Sequence, residues 1–237
     1  MSQIEEEERG RFAGLLLAQL FFIGVTPFIG DGYVGRVFLQ LGIFGMVFAG
    51  IYAASHQRWL LYSSCLVLLM VAWSWLGPDL LGEPVEGALR VGTVALSYAL
   101  TTIVLVRAVA RHTRVTTNTI LGGINVYLLL ALTFMFLHAT VIFVSPDAYT
   151  IGGRPLLEVA KTDGDTHGVA TFLYFSITTL STLGYGDIIP ASSVARLLTS
   201  AEAIIGQLYV AIFIGRLVGL QVSSRRELLD AAQSRDS

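Results

Sequence analysis

The sequence predicts an all-α membrane protein with six transmembrane helices and a re-entrant helix between the fifth and the sixth. Three observations support this prediction. Hydrophobic residues make up 54% of the 237 residues and charged residues only 14%, whereas about 25% of an ordinary soluble domain is charged. Charge-free runs long enough to cross a membrane recur along the chain. One shorter apolar segment leads directly into a glycine-rich loop.

The charge-free runs locate the spans. A helix needs about 20 apolar residues to cross a hydrocarbon core about 30 Å thick. The fourth run is short, but Arg90 and Arg107 can extend from its two ends toward water. The sixth contains Glu202 and Arg216 and still has the length of a crossing. The predicted spans are Phe12–Gly30, Val37–Ser55, Trp59–Pro78, Val91–Val106, Val115–Pro146 and Leu197–Leu220.

The short loops predict the orientation, because cytoplasmic loops collect Lys and Arg. Arginines precede the first span, separate the second from the third, separate the fourth from the fifth, and follow the sixth. They are Arg9, Arg11, Arg58, Arg107, Arg111, Arg114, Arg225 and Arg226. Both termini are therefore expected in the cytoplasm. Arg36, in the turn between the first two spans, does not fit this pattern.

The apolar segment at residues 168–181 is too short to cross a bilayer and is predicted to be re-entrant. It leads directly into Thr182-Leu183-Gly184-Tyr185-Gly186-Asp187. Irregular backbone at membrane depth is tolerated only where it is buried in protein or lines a water-filled cavity. A short helix that ends in such a loop therefore predicts a pore.

This loop has the composition needed to strip water from a cation. Stacked backbone carbonyls can replace the water if successive peptides turn to one side, which requires residues that adopt positive φ. Gly184 and Gly186 are those residues. Thr182 adds a hydroxyl at the inner end, and Asp187 places a carboxylate at the outer mouth. The negative C-terminal end of the preceding helix also favours a cation.

The loop resembles the selectivity filter of the tetrameric potassium channels, whose signature TVGYGD is matched here by TLGYGD. Leu183 replaces the usual Val. The resemblance extends over about residues 118–220 and implies a potassium channel rather than an enzyme. It implies K⁺ sites formed by Thr182, Leu183, Gly184 and Tyr185, with Gly186 completing the filter and no cofactor besides permeant K⁺. One loop supplies a quarter of a carbonyl ring, so a homotetramer with a four-fold axis is expected.

The same resemblance assigns supporting roles on the re-entrant helix. Tyr174 and Phe175 are expected to clamp Tyr185, with plain helix packing as the alternative. Some family members tie the filter aspartate to a carboxylate on this helix, and Thr178 occupies the matching position. A hydroxyl there predicts a weaker, uncharged partner for Asp187.

Residues of the last span suggest a hinge and a gate. Gly206 is expected to be either a gating hinge or a site of close helix packing. Val210, Ile214 and Val218 share one helical stripe, and an apolar ring there could gate by dewetting. Glu202 is expected to hydrogen-bond to the back of the re-entrant helix, with a position at the outer interface as the alternative.

The chain is expected to divide into a four-helix peripheral domain (1–114), a pore domain (115–220) and a short cytoplasmic tail (221–237). The peripheral domain takes the place of a voltage sensor, yet its fourth span has no charge between Arg90 and Arg107. Only weak voltage dependence is therefore expected. The tail is too short for a regulatory ligand domain.

Several other functions compete with the potassium channel. Because of Leu183 and Thr178, a non-selective or sodium-conducting channel remains an alternative function. A potassium transporter subunit would carry four such loops, and this sequence contains one. Net charge of −2 argues against nucleic-acid binding. The expected partners are membrane lipids and three further copies of the chain. The expected location is a cell membrane, and the dominance of Arg over Lys is compatible with a bacterial inner membrane.

Overall fold

The computed structural model describes residues 2–28, 42, 45, 82, 85–111, 115–162 and 168–233. The α-helices bounded within these residues are α1 (Ser2–Val25), α2 (Val85–Ala110), α3 (Thr117–Val144), α4 (Leu156–Thr162), α5 (Gly168–Leu180) and α6 (Ser193–Gln233). A single 3₁₀ turn, Thr26–Phe28, follows α1. Three short strands are β1 (Tyr149–Ile151), β2 (Arg154–Pro155) and β3 (Ile188–Pro190).

Three of the described helices are long and apolar enough to cross a membrane. They are α2, α3 and the part of α6 from Ser193 to Ser223, which correspond to the fourth, fifth and sixth predicted spans. The apolar part of the first predicted span is a shorter helical segment, Phe12–Phe28. Apart from residues 42 and 45, the second and third predicted spans lie outside the described residues. The protein is therefore a multi-pass, mainly helical membrane protein, and six spans remain a prediction.

Helix α3 lies at the centre of the described part of the chain and contacts α1, α2, α5 and α6. Its N-terminus is closed by a capping box, in which Thr116 and Thr119 exchange side-chain and backbone hydrogen bonds. Leu129, Leu132 and Met135 are almost fully buried along it. Because four helices pack on α3, it fixes the position of the re-entrant helix α5.

The polar stretch after α3 folds into a small antiparallel sheet with strand order β2-β1-β3. Gly152 and Gly153 form the hairpin turn with φ of 56° and 77°, values that glycine adopts without a Cβ penalty. In the other pairing of β1, Tyr149 faces Pro190. This small sheet is an addition to the mainly helical fold, and it ties the segment after the glycine-rich loop to the end of α3.

Arg216 is one of the two charged residues in the sixth predicted span, and it caps another helix. Its Nη1 donates to the carbonyl of Val109 at 3.0 Å and its Nη2 to that of Ala110 at 2.8 Å. The last carbonyls of a helix have no partner within it, and a cation there also complements the helix dipole. Arg216 therefore joins α6 to the C-terminal end of α2.

Candidate functional site

The glycine-rich loop is hydrogen-bonded through its N–H groups to the last turn of α5. Thr182 N donates to Thr179 O at 2.9 Å, and the carbonyl of Thr178 accepts from both Leu183 N at 2.9 Å and Gly184 N at 3.1 Å. The last carbonyls of α5 have no partner within the helix, and they therefore accept the hydrogen bonds that hold the loop.

These bonds also set the direction of the loop carbonyls. In a planar trans peptide, the N–H of one residue and the C=O of the residue before it point in opposite directions. The N–H groups of Thr182, Leu183 and Gly184 point toward α5. The carbonyls of Thr182 and Leu183 therefore point away from α5.

Every second residue of the loop adopts positive φ. The values are 58° for Thr182, 51° for Gly184 and 77° for Gly186. The two glycines were expected in this conformation from the sequence, but Thr182 was not. A β-branched residue at positive φ is a backbone outlier, and such strain is concentrated at functional sites.

Two side-chain contacts hold Thr182 in this conformation. Its hydroxyl donates to the carbonyl of Ser181 at 2.7 Å and accepts from Gln207 Nε2 at 3.0 Å. Sequence reasoning missed Gln207. The available signal was an amide side chain in an otherwise apolar helix.

Tyr174 lies against the loop, as expected. Its ring stacks on that of Tyr185 with centroids 6.2 Å apart and an angle of 5° between the planes. Its hydroxyl donates to Asp187 Oδ2 at 2.9 Å. One side chain of α5 thus contacts both an aromatic and the carboxylate of the loop.

Phe175, the other residue expected at Tyr185, packs elsewhere within the single chain. It is buried on the opposite side of α5, with its ring centroid 4.9 Å from His138 and 5.5 Å from Tyr149. Adjacent helical residues are separated by about 100° around the axis. Tyr174 and Phe175 therefore face different directions within one chain.

Thr178 supports the loop through its backbone rather than its side chain. The hydroxyl of Thr178 donates to the carbonyl of Phe175 at 3.0 Å within the same helix, so the expected hydrogen bond to Asp187 is replaced by that from Tyr174. A threonine in a helix readily donates to a carbonyl of the preceding turn.

Glu202 lies behind α5 and is completely buried, so it does not reach water at the outer interface. Its Oε1 lies 2.5 Å from Ser176 Oγ of α5, and its Oε2 lies 2.8 Å from His138 Nε2 of α3. This carboxyl group therefore connects three helices.

His138 extends this connection to the small sheet. Its Nδ1 lies 2.6 Å from the hydroxyl of Tyr149 in β1, and both side chains are completely buried. Burial raises the pKa of the Tyr149 phenol above its ordinary value, and any charge on Glu202 acts in the same direction. The phenol consequently keeps its proton at neutral pH. Sequence reasoning did not connect His138 with Tyr149 or Glu202.

The predicted hinge and gate positions lie along α6. A Cβ added at Gly206 would overlap the carbonyl oxygen of Leu180, so this glycine allows close packing of α6 against the end of α5. The side chains of Val210, Ile214 and Val218 are 37%, 55% and 58% exposed. These exposures leave the three side chains available to line a passage or to meet another subunit.

Comparison with known proteins adds independent information on this region. Residues 130–221 match a family model described as "Ion channel". This range includes most of α3, all of α5, the loop and most of α6.

Similar proteins include "Two pore potassium channel c" of Oryza sativa subsp. japonica, which is 42% identical over 69 residues, or 29% of this chain and 15% of that protein. "Two-pore potassium channel 1" of Arabidopsis thaliana is 41% identical over 64 residues, or 27% of this chain and 18% of that protein. The matched segment is thus less than a fifth of the length of either relative. No solved structure matches the chain. Residues 130–221 are therefore similar to ion channels, and both relatives named above are potassium channels.

Proposed function

We propose that this chain is one subunit of a potassium-selective channel that conducts K⁺ passively across a membrane. The alternation of positive φ at Thr182, Gly184 and Gly186 carries the proposal. Together with the N–H groups turned toward α5, this alternation supports a column of carbonyl oxygens on the other side of the loop. The potassium channels among the relatives support the choice of ion.

The proposed mechanism replaces the water shell of the ion with protein oxygen atoms. The carbonyls of Thr182, Leu183, Gly184 and Tyr185, with the Thr182 hydroxyl, would form the ion sites. The carboxylate of Asp187 raises the local concentration of cations at the outer mouth. Conduction needs no chemical step, so the protein acts as a passive pathway.

A homotetramer is the proposed assembly, because one loop provides a quarter of a carbonyl ring. The loop side chains of Leu183 and Tyr185 are 57% and 68% exposed in the single chain. Only 6% of the most apolar stretch of α6 is buried within the single chain, compared with 56% of the most apolar stretch of α3. Neighbouring subunits would cover these surfaces.

The proposed pore domain is 115–220, which contains most of the region that matches the family model. In this proposal Gly206 is a hinge or a packing contact, and Val210, Ile214 and Val218 form the gate. Residues 1–114 form a peripheral domain, and 221–237 form a tail. In this proposal the protein lies in a bacterial inner membrane, and both of its termini face the cytoplasm.

The decisive experiment is single-channel recording of the purified protein in a planar bilayer with a K⁺ gradient opposed by Na⁺. We expect currents that reverse close to the K⁺ equilibrium potential. Reversal midway between the K⁺ and Na⁺ potentials would favour a non-selective channel. Reversal at the Na⁺ potential would favour a sodium channel.

The assembly is tested separately by native mass spectrometry of the detergent-solubilised protein. We expect a species of four copies of the 25.6 kDa chain. A dimer that conducts K⁺ would contradict a ring built from one loop per chain.

A further inference from the structure

Four buried side chains from four different elements form one hydrogen-bonded chain behind the loop. The order is Tyr149 of β1, His138 of α3, Glu202 of α6 and Ser176 of α5, with contacts of 2.6, 2.8 and 2.5 Å. None of these four side chains is exposed. Ser176 Oγ also lies 2.7 Å from the carbonyl of Ala131 in α3.

The two short contacts of Ser176 locate a proton. A serine hydroxyl has one proton, and both Ala131 O and Glu202 Oε1 lie within hydrogen-bond distance of its oxygen. A carbonyl oxygen can only accept, so Ser176 donates to Ala131. One serine proton cannot be directed fully at both acceptors, and a proton on Glu202 Oε1 gives the 2.5 Å contact with Ser176 a donor of its own.

One assignment of protons then pairs the remaining donors and acceptors of Tyr149, His138 and Glu202. With the Tyr149 phenol as the donor to His138 Nδ1, the ring is neutral with its proton on Nε2, and Nε2 donates to Glu202 Oε2. A doubly protonated ring would turn Nδ1 into a donor and leave the Tyr149 proton without an acceptor among the described residues. The described residues also place no Lys or Arg beside Glu202, so a carboxylate beside a neutral His138 would be a buried charge without a cation.

We propose that Glu202 is a neutral carboxylic acid, and that His138 and Tyr149 act through it as positioning residues for the loop. Every donor and acceptor in the chain of contacts is then paired, and the net charge is zero. The positioning role rests on the proposed conduction function, whereas the location of the proton does not.

The chain of contacts holds the loop at both ends. At its entry, Ser176 lies on the same helix as Thr178, whose carbonyl accepts from the loop. At its exit, Tyr149 pairs with Pro190 of β3, shortly after Asp187. A change at Tyr149 or His138 therefore reaches the loop from both directions without contact with an ion.

Infrared difference spectroscopy of the purified protein at neutral pH tests the position of the proton. Glu202→Gln should remove a carbonyl stretching band of a protonated carboxylic acid and leave the carboxylate bands intact. The control Asp147→Asn, at an exposed residue close to Tyr149, should remove carboxylate intensity instead. Loss of carboxylate intensity in Glu202→Gln would overturn the assignment. This test does not depend on whether the protein conducts.

Tyr149→Phe tests the positioning role, because it removes one hydroxyl and keeps the ring that packs on Phe175. We expect the carboxylic acid band to shift in frequency, and the ratio of conducting to inactivated channels to change about fivefold, as one lost hydrogen bond implies. The ratio of K⁺ to Na⁺ permeability should stay constant. Tyr209→Phe, which loses a 2.7 Å hydrogen bond to Gly123 O, should leave the band in place. An unchanged band and unchanged kinetics in Tyr149→Phe would overturn the positioning role.

Discussion

Tyr174 donates its phenol proton to Asp187 while its ring stacks on Tyr185. The bond runs from the middle of α5 to the residue that follows the second glycine of the loop. The loop therefore returns alongside α5, so that its outer end lies beside the middle of the helix. The carboxylate of Asp187 is thereby held in one orientation at the proposed mouth.

Tyr174→Phe should release Asp187 and preserve the stacked ring. We expect the K⁺ current to decay faster during sustained opening. Among the described residues, the Tyr174 hydroxyl makes the only side-chain hydrogen bond between α5 and Asp187 at the outer end of the loop. Ion preference should stay unchanged, since no backbone carbonyl is altered. The measurement is the decay of macroscopic K⁺ current in symmetrical K⁺.

A double-mutant cycle with Asp187→Asn separates this bond from other effects. If the hydrogen bond is the cause, the double variant should decay no faster than Tyr174→Phe alone, because partners in direct contact are not additive. Fully additive effects would show that the two side chains act independently.

Gly186→Ala should abolish K⁺ conduction without preventing folding. Its φ is 77° and an added Cβ has no neighbour within 4 Å, so the penalty comes from the backbone, about 1 kcal/mol or more in each subunit. The readout is single-channel current together with elution of the intact oligomer.

Gly153→Ala is the matched control for that variant. Gly153 has the same φ of 77° and equally open space around an added Cβ, but it lies in the hairpin turn. The two variants should lose similar thermal stability, and only Gly186→Ala should lose current. Normal K⁺ currents in Gly186→Ala would contradict the proposed carbonyl sites.

The sequence allowed the loop glycines to be predicted, because their requirement is local to the backbone. Thr182 was not predicted at positive φ, because its conformation depends on Gln207, which lies on another helix. The direction of Phe175 follows from helix phase and could have been derived once Tyr174 was placed against the loop. The contact between His138 and Glu202 joins residues 64 positions apart, and its only local signal was two ionisable residues inside apolar spans.

The small sheet escaped prediction for a different reason. Its strands have two or three residues each, too few for an alternating pattern to be recognised. The adjacent glycines Gly152 and Gly153 were the available turn signal. Strands β1 and β3 are separated in the sequence by α5 and the glycine-rich loop. No local pattern could therefore predict their pairing.

Arg216→Met should destabilise the protein by about 1–3 kcal/mol, since the carbonyls of Val109 and Ala110 lose their charged donor. Arg216→Lys should cost less, because it keeps the charge near the end of α2 and loses only the forked geometry. Thermal unfolding of the solubilised protein measures both. Arg196→Met is the control on the same helix, at an exposed position, and should stay within about 0.5 kcal/mol of the parent. Equal losses of stability in Arg216→Met and Arg196→Met would contradict the capping role.

Open probability is predicted to vary only weakly with voltage. Moving one elementary charge across the membrane is worth about 2.3 kcal/mol per 100 mV, and steep gating takes about three to four charges per subunit. In α2, Arg90 forms a 2.7 Å ion pair with Glu86 near the N-terminal end, and Arg107 lies in the last turn. The 16 residues between them are uncharged and span about 24 Å of helix, so these arginines anchor opposite ends of α2 rather than sit within the field. The measurement is conductance over a wide voltage range for the parent and for Arg107→Gln, which should superimpose. A steep, saturating curve whose slope decreases in Arg107→Gln would show that α2 senses voltage.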